Sequence, residues 1–174
     1  MISIIVGTNR LNSETSRVVK YYYNTLKTRG EECQIFNLAD LPHDFLFSAL
    51  YGNKNEKFDY ILEQYIFSVD KLIIVVPEYN GSFPGIMKGF IDGWNPRKVN
   101  NKWSALVGVA SGRQGNMRGV DDLTNILHYL KINVIPVKPP MSQISNLLNS
   151  NDEIVDSGIK DMIDLQLDLL IEKK

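Results

Sequence analysis

The chain has 174 residues, of which 44% are hydrophobic and 22% charged, and its net charge is −1. This size and composition predict a single globular domain over 1–174 with a substantial core. The near-neutral charge argues against nucleic acid or an anionic membrane surface as a partner, and no apolar run approaches bilayer-spanning length. One cysteine excludes an intramolecular disulfide framework, and the chain begins without a signal peptide, so we expect a cytoplasmic protein.

Short apolar runs alternate with segments of helical periodicity along the whole chain. The runs predict five strands: Ile2 to Val6, Cys33 to Leu38, Leu72 to Val76, Ala105 to Ala110 and Asn133 to Val137. The helical segments are 14–28, 56–68, 83–94, 116–130 and 155–172, whereas 39–55 and 138–152 are predicted to be irregular. This alternation predicts an α/β fold with a parallel sheet covered on both faces.

Five such strands fit a doubly wound sheet of order 2-1-3-4-5, in which the winding reverses between strands one and three. Ligands bind such sheets at the carboxyl ends of the strands, beside the reversal. The loops after strands one, three and four are therefore expected to line one site.

The loop after strand one is rich in hydroxyls and carries one arginine. Its candidate phosphate-binding residues are Thr8, Arg10, Ser13 and Thr15. The free N–H groups of a helix start favour an anion, and an arginine adds a charge-assisted contact. Alternatively, Ser13 or Thr15 only caps the helix. Neither the dinucleotide fingerprint G-x-G-x-x-G nor a P-loop is present.

The loop after strand three holds two glycines and two prolines within Pro77-Glu78-Tyr79-Asn80-Gly81-Ser82-Phe83-Pro84-Gly85. Glycine lets the backbone approach a flat ligand, and proline holds the loop in shape. The loop after strand four, Ser111-Gly112-Arg113-Gln114-Gly115, is also rich in glycine. An ordinary tight turn is the alternative for the first loop. Arg113 could bind a pyridine nucleotide or a substrate anion, or be a solvated surface residue.

These loops resemble the NADPH-dependent FMN reductase family, a flavodoxin-like group of quinone, azo and chromate reductases. Its members typically carry P-E-Y-N-G-S-x-P-G after strand three and a motif similar to G-S-x-R-x-x-S after strand one, which Gly7 to Ser13 matches with Thr8 at the first hydroxyl. The resemblance extends from Ile2 to about Val137. It implies a flavodoxin-like three-layer sandwich that binds FMN. The implied cofactor-binding residues are Thr8, Arg10, Ser13, Thr15, Pro77, Glu78, Tyr79, Asn80, Gly81, Ser111 and Gly112.

The resemblance also implies an oxidoreductase. A hydride would pass from NADPH or NADH to flavin N5, and electrons would then reach a small-molecule acceptor: a flavin, a quinone, an azo compound or a metal oxyanion. This scheme requires no catalytic side chain, and we predict no metal site, since His43 and His128 lack a ligand pattern. The alternatives are a flavodoxin-like electron carrier, which the near-neutral charge disfavours, and a flavin-binding regulatory module.

Relatives in this family are commonly dimeric, and a second feature of the chain points the same way. The segment 39–55 carries an apolar set outside any predicted element: Phe45, Leu46, Phe47, Leu50 and Tyr51. Such a set needs a covering surface, either the flavin or another subunit. We therefore expect a homodimer or homotetramer.

Overall fold

The computed structural model describes residues 1–173 and contains one parallel sheet. Its strands are β1 Ile2–Val6, β2 Cys33–Asn37, β3 Lys71–Pro77, β4 Trp103–Val109, β5 Asn133–Val134 and β6 Pro140–Met141. The order is β2-β1-β3-β4-β5, and every pairing is parallel, which confirms the predicted topology. The winding reverses between β1 and β3, as this order requires.

The fifth position of the sheet differs in detail from the expected strand over Asn133 to Val137. β5 has only two residues, which pair with Trp103 and Ser104 of β4. Further along, β6 pairs with Gly108 and Val109 of the same strand. The intervening chain contains Pro136 and Pro139, and a proline has no N–H to donate to a ladder. The prolines thus divide one strand position between two short strands.

Helices connect the strands and cover both faces. They are α1 Glu14–Thr28, α2 Phe45–Ser48, α3 Glu56–Leu62, α4 Gly85–Asp92, α5 Pro96–Val99, α6 Met117–Tyr129, α7 Ile144–Leu147 and α8 Ser157–Ile171. A π-helical turn, Glu63–Phe67, continues α3, and a 3-10 turn covers Leu38–Asp40. The segments 39–55 and 138–152 were expected to be irregular, but they contain α2, α7 and β6.

Two hydrophobic clusters lie on opposite faces of the sheet, which makes three layers. Alternate residues of β1 divide between them: Ile5 packs with α3, α4 and α6, whereas Ile4 packs with α1 and α8. All five β1 residues are buried, as is typical of a parallel strand covered on both sides. Among residues 1–173, no helix is both long and apolar enough to cross a membrane.

The carboxyl edge of the sheet brings the first and third loops together. Gly7 follows β1, and its N–H donates to the carbonyl of Val75 in β3 at 2.8 Å. A Cβ added at Gly7 would lie 2.6 Å from Val76 Cγ1 and 2.7 Å from Val75 O. Only glycine leaves room for the chain to leave β1 so close to β3.

Candidate functional site

A cavity of about 180 Å³ lies at the carboxyl edge, between the loops that follow β1, β3 and β4. Its lining residues are Arg10, Asn12, Ser13, Glu14, Thr15, Pro77, Glu78, Tyr79, Val109, Ala110, Ser111 and Ile144. Most of the residues predicted from the sequence therefore meet at one place. Thr8, Asn80 and Gly81 do not line this cavity, and Gly112 lines an adjoining one.

The start of α1 forms one end of the cavity. Ser13 is the N-cap of this helix, and its Oγ accepts the Ser16 N–H at 3.2 Å, so the capping alternative describes this residue correctly. Within residues 1–173, the N–H groups of Glu14 and Thr15 donate to no acceptor. Free N–H groups on the first turn of a 15-residue helix attract an anion, and the helix dipole adds to that attraction.

The charges around this end favour an anion. Arg10 is exposed at the cavity and forms no ion pair with any residue from 1 to 173. Glu14 is the carboxylate closest to the helix start, and Arg17 pairs with it at 2.7 Å. The neighbouring negative charge is thus partly neutralised, while Arg10 is available to a ligand.

Arg17 also holds the segment that follows α7. Its Nε donates to Asp152 at 2.6 Å, and its Nη2 donates to the Asn149 carbonyl at 2.6 Å. Lys20 donates to the second oxygen of Asp152 at 2.9 Å. These two cations hold the pKa of Asp152 below its ordinary value, with the Arg17 hydrogen bond as the larger cause. The clamp fixes α1 against the 149–152 segment.

Thr8 and Tyr79 join the loops that follow β1 and β3. The side chain of Thr8 is fully buried, and its Oγ1 accepts the Arg10 N–H at 3.1 Å. Tyr79 Oη lies 3.0 Å from the same Thr8 oxygen. The sequence placed both residues in the site, but nothing in it indicated that they contact each other.

The loop after β3 turns back on itself at Asn80 and Gly81. Tyr79 and Ser82 exchange backbone hydrogen bonds of 2.8 and 3.3 Å across them. Asn80 has φ 53° and Gly81 has φ 85°, which is the left-handed pair that an Asn-Gly turn favours. The tight-turn alternative thus describes this backbone. Ser82 Oγ donates to Asp122 of α6 at 2.6 Å and anchors the turn.

A second cavity, of about 250 Å³, adjoins the first and shares Glu78 with it. Its other lining residues are Gly112, Arg113, Gln114, Met117 and Arg118. Arg113 and Arg118 are exposed and form no ion pair with the described part of the chain. Arg118 was not singled out from the sequence. Its place one residue into the helix after a glycine-rich loop was the available signal.

Comparison with known proteins identifies the family to which this site belongs. The model of the NADPH-dependent FMN reductase family matches residues 1–145, which include all three loops. The chain belongs to the NADPH-dependent FMN reductase family. Membership confirms the predicted resemblance, and FMN and NADPH are the two cofactors in the family's description.

Relatives with assigned activities are FMN-dependent NADPH-azoreductases of Staphylococcus aureus, for example of strains USA300 and COL. They are 33% identical to this chain over 112 residues. The match covers 63% of this FMN reductase family member and 60% of the azoreductases, so it spans less than two thirds of their length.

Solved structures confirm the fold. An apo NADH:FMN oxidoreductase has a TM-score of 0.77 at 22% identity, with 99% of this chain and 90% of the other covered. A flavoenzyme NAD(P)H:(acceptor) oxidoreductase of Paracoccus denitrificans has a TM-score of 0.75 at 20% identity, covering 98% and 97%. A flavodoxin from the domain Archaea has a TM-score of 0.58 at 12% identity, covering 99% and 98%. The architecture is flavodoxin-like.

Proposed function

We propose that this protein is an FMN-dependent NAD(P)H oxidoreductase that passes electrons from a nicotinamide cofactor, through bound FMN, to a small-molecule acceptor. The acceptor would be a flavin, a quinone, an azo compound or a metal oxyanion. One observation carries the proposal: an arginine and two helix N–H groups, which have no ion pair or acceptor among residues 1–173, share a cavity with the Pro77–Tyr79 loop. The family and the azoreductase relatives support it.

The donor set suits the phosphate of FMN. A phosphate monoester carries roughly −1.5 to −2 charges near neutral pH and three acceptor oxygens. Arg10 offers a guanidinium, Glu14 and Thr15 offer backbone N–H groups, and Ser13 and Thr15 add hydroxyls. These residues would hold the phosphate at the start of α1.

The other end of the cavity suits a flat ring with one apolar and one polar edge. The residues Val109, Ala110 and Ile144 supply apolar surface, and Pro77 restricts the backbone in the same cavity. Among residues 1–173, the N–H groups of Ser111 and Gly112 donate to no acceptor, so they are free for the polar edge. When bound, FMN would supply the redox chemistry, accepting a hydride from the nicotinamide and returning electrons to the acceptor.

The second cavity provides space for a reactant beside the ring. It continues from Glu78 and is bordered by Arg113 and Arg118, which suit an anionic substrate such as a pyridine nucleotide. The chain's residues would bind and orient both partners and exclude water. No side chain is assigned as an acid or base.

An electron carrier is the second candidate, and the likeness to an archaeal flavodoxin is the observation that favours it. A carrier gives and takes single electrons with partner proteins and needs no substrate pocket. The adjoining cavity of about 250 Å³ and the two arginines at its border favour the enzyme. A flavin-binding regulatory module would share the first cavity but would not turn over NADPH.

We also propose a cytoplasmic homodimer or homotetramer. Phe47 and Tyr51 are 87% and 91% exposed and remain without a covering surface, whereas Phe45 and Leu50 of the same segment are buried in the core. Two large, almost fully exposed aromatic side chains in one segment favour a subunit contact there. The free thiol of Cys33 suits a reducing compartment.

Steady-state kinetics tests the proposed activity. Protein loaded with FMN should oxidise NADPH continuously when a quinone or an azo dye is supplied, well above the rate of free FMN at the same concentration. The second cavity offers space for only one reactant beside the ring, so NADPH must leave before the acceptor binds. Varying the concentrations of NADPH and the acceptor should therefore give parallel double-reciprocal lines. A rate no higher than that of free FMN would refute the enzyme.

A further inference from the structure

The hydroxyl expected to begin the phosphate cradle is out of reach of a ligand. Thr8 is 0% exposed and does not line the cavity, and its Oγ1 lies 3.0 Å from the Tyr79 hydroxyl. Tyr79 is 37% exposed and lines the cavity together with Arg10 and Ser13. The tyrosine, not the threonine, thus presents its surface to this end of the site.

The hydrogen bonds of the pair leave one proton for a ligand. Each hydroxyl has one proton to donate and lone pairs that can accept. Thr8 Oγ1 already accepts the Arg10 N–H and keeps a second lone pair, so either hydroxyl can donate across the 3.0 Å between Thr8 Oγ1 and Tyr79 Oη. When Thr8 donates to Tyr79 in this way, the tyrosine proton must point elsewhere. The cavity is the open direction.

We infer that the Tyr79 hydroxyl donates to the phosphomonoester of the flavin cofactor, and that Thr8 is the positioning residue that orients it. This inference rests on the proposed FMN site. It assigns Tyr79 to the phosphate and gives Thr8 an indirect role. An anion in the cavity selects the arrangement in which Thr8 donates to Tyr79 and Tyr79 donates to the anion. A hydrogen bond to a charged group is stronger than one between neutral groups.

The backbone at Tyr79 supports this role because it is already fixed. Its N–H and carbonyl both bond to Ser82 across the turn, and Ser82 is anchored to Asp122 of α6. Arg10, whose N–H bonds to Thr8, carries the guanidinium that faces the same cavity. The Thr8 and Tyr79 side chains and the Arg10 backbone therefore form one unit held in place before a ligand arrives, which lowers the entropy lost on binding.

Binding of FMN and riboflavin to single and double variants tests the inference, because the two ligands differ only by the phosphate. Tyr79→Phe should weaken FMN binding about tenfold to a hundredfold, and riboflavin binding less than about twofold. Thr8→Val should weaken FMN about threefold to tenfold, since it leaves the tyrosine proton without an orienting partner. Thr8→Ser keeps a hydroxyl and should stay near wild type.

The double variant shows whether Thr8 acts through Tyr79 or contacts the phosphate directly. Tyr79→Phe with Thr8→Val should bind FMN no more weakly than Tyr79→Phe alone. Equal losses from Thr8→Val in both backgrounds would mean that Thr8 contacts the phosphate itself and would overturn the inference. So would equal losses of FMN and riboflavin in Tyr79→Phe. Tyr60→Phe, at a surface tyrosine that is 65% exposed, is the matched control.

Two readouts distinguish a failure of this inference from a failure of the proposed function. Thr8 is buried, so Thr8→Val could misfold; Tyr79→Phe then decides alone, through the rise in Tm that FMN produces beyond the rise from riboflavin. If wild type prefers FMN and turns over NADPH while Tyr79→Phe keeps its preference for FMN, only this inference fails. If wild type binds both ligands equally, the phosphate site and this inference fail together.

Discussion

Arg10 is the residue on which the selectivity for a phosphorylated flavin should depend most. It lines the cavity without an ion pair among residues 1–173, so removing it leaves no buried carboxylate uncompensated. A charge-assisted hydrogen bond contributes about 1.5–3 kcal/mol. Arg10→Ala should therefore weaken FMN by about tenfold to a hundredfold and riboflavin hardly at all, as measured by fluorescence titration.

Arg97 offers a matched control for that experiment. It is an exposed arginine on α5 that lines neither of the two cavities. Arg97→Ala should leave both affinities unchanged. Equal loss of FMN and riboflavin in Arg10→Ala would remove this arginine from the phosphate site.

Arg113 and Arg118 should act on the nicotinamide substrate. Because both are exposed, each contact should contribute only about 0.2–1 kcal/mol. Replacing each with alanine should raise KM for NADPH about two- to fivefold and leave kcat nearly unchanged. Measuring KM for NADH as well shows which group the arginines contact, because a rise confined to NADPH assigns the contact to its 2′-phosphate. An unaltered KM would show that these arginines are solvated surface residues that do not contact the nucleotide.

At the scale of elements, the turn Tyr79–Ser82 depends on Gly81. Its φ of 85° is left-handed, and a side chain there costs about 1–2 kcal/mol, although an added Cβ would meet no atom within 4 Å. Gly81→Ala should lower the free energy of unfolding by that amount, and Gly81→Val should lower it further. Either variant should also weaken FMN, because the turn positions Glu78 and Tyr79. Urea denaturation measures the first effect and flavin titration the second.

Gly85 provides the control for this turn. A Cβ at Gly85 would also meet nothing within 4 Å, and its φ lies outside the left-handed region. Gly85→Ala should therefore be neutral to stability. If Gly81→Ala were equally neutral, the turn would not require a left-handed residue and its assigned conformation would be wrong.

The clamp between α1 and the 149–152 segment should make stability depend on pH. Arg17 and Lys20 hold the pKa of Asp152 below its ordinary value of about 3.9. The clamp's contribution is thus fully present above that ordinary pKa and is lost as pH falls through the lowered folded pKa. Asp152→Asn should have a lower Tm than wild type near pH 7, and the gap should close below about pH 4. A gap that persisted in acid would show that charge is not its cause.

The elements that could be predicted best are those whose signal is local. The helix expected over 14–28 is observed with those bounds, and Val18, Val19, Tyr22 and Leu26 are buried along one face as their spacing indicates. The strand expected over Asn133 to Val137 was broken instead, because prolines interrupt its ladder. In the segment 39–55, Phe45 and Leu50 are buried in the core by residues distant in the sequence. Local sequence patterns cannot predict such contacts.

The candidate site shows the same limit. Its loops could be found because glycine, proline and hydroxyl residues follow predicted strands, and the sheet order places those strand ends together. The contact between Thr8 and Tyr79 joins residues 71 positions apart, and Thr8 is fully buried. Which hydroxyl faces the ligand is set by this tertiary packing and could not be predicted from the order of residues.

At the scale of the whole molecule, the exposed aromatic residues predict self-association. Phe47 and Tyr51 are exposed, while Leu46 beside them packs over Gly89 of α4. Light scattering at micromolar concentration should give a dimer or tetramer, and Phe47→Asp should shift the mass towards the monomer. Leu165→Asp, on an exposed site of α8 against the other face of the sheet, should leave the mass unchanged. A monomeric wild type would refute the assembly.

The proposed enzyme reduces a bound FMN with NADPH and passes the electrons to an acceptor. The most direct measurement is the visible absorbance of the FMN-loaded protein, mixed with NADPH without oxygen and then with a quinone. The flavin band should bleach on addition of NADPH and return on addition of the quinone, over repeated cycles. A band that a chemical reductant bleaches but NADPH leaves intact would contradict the reductase and favour an electron carrier.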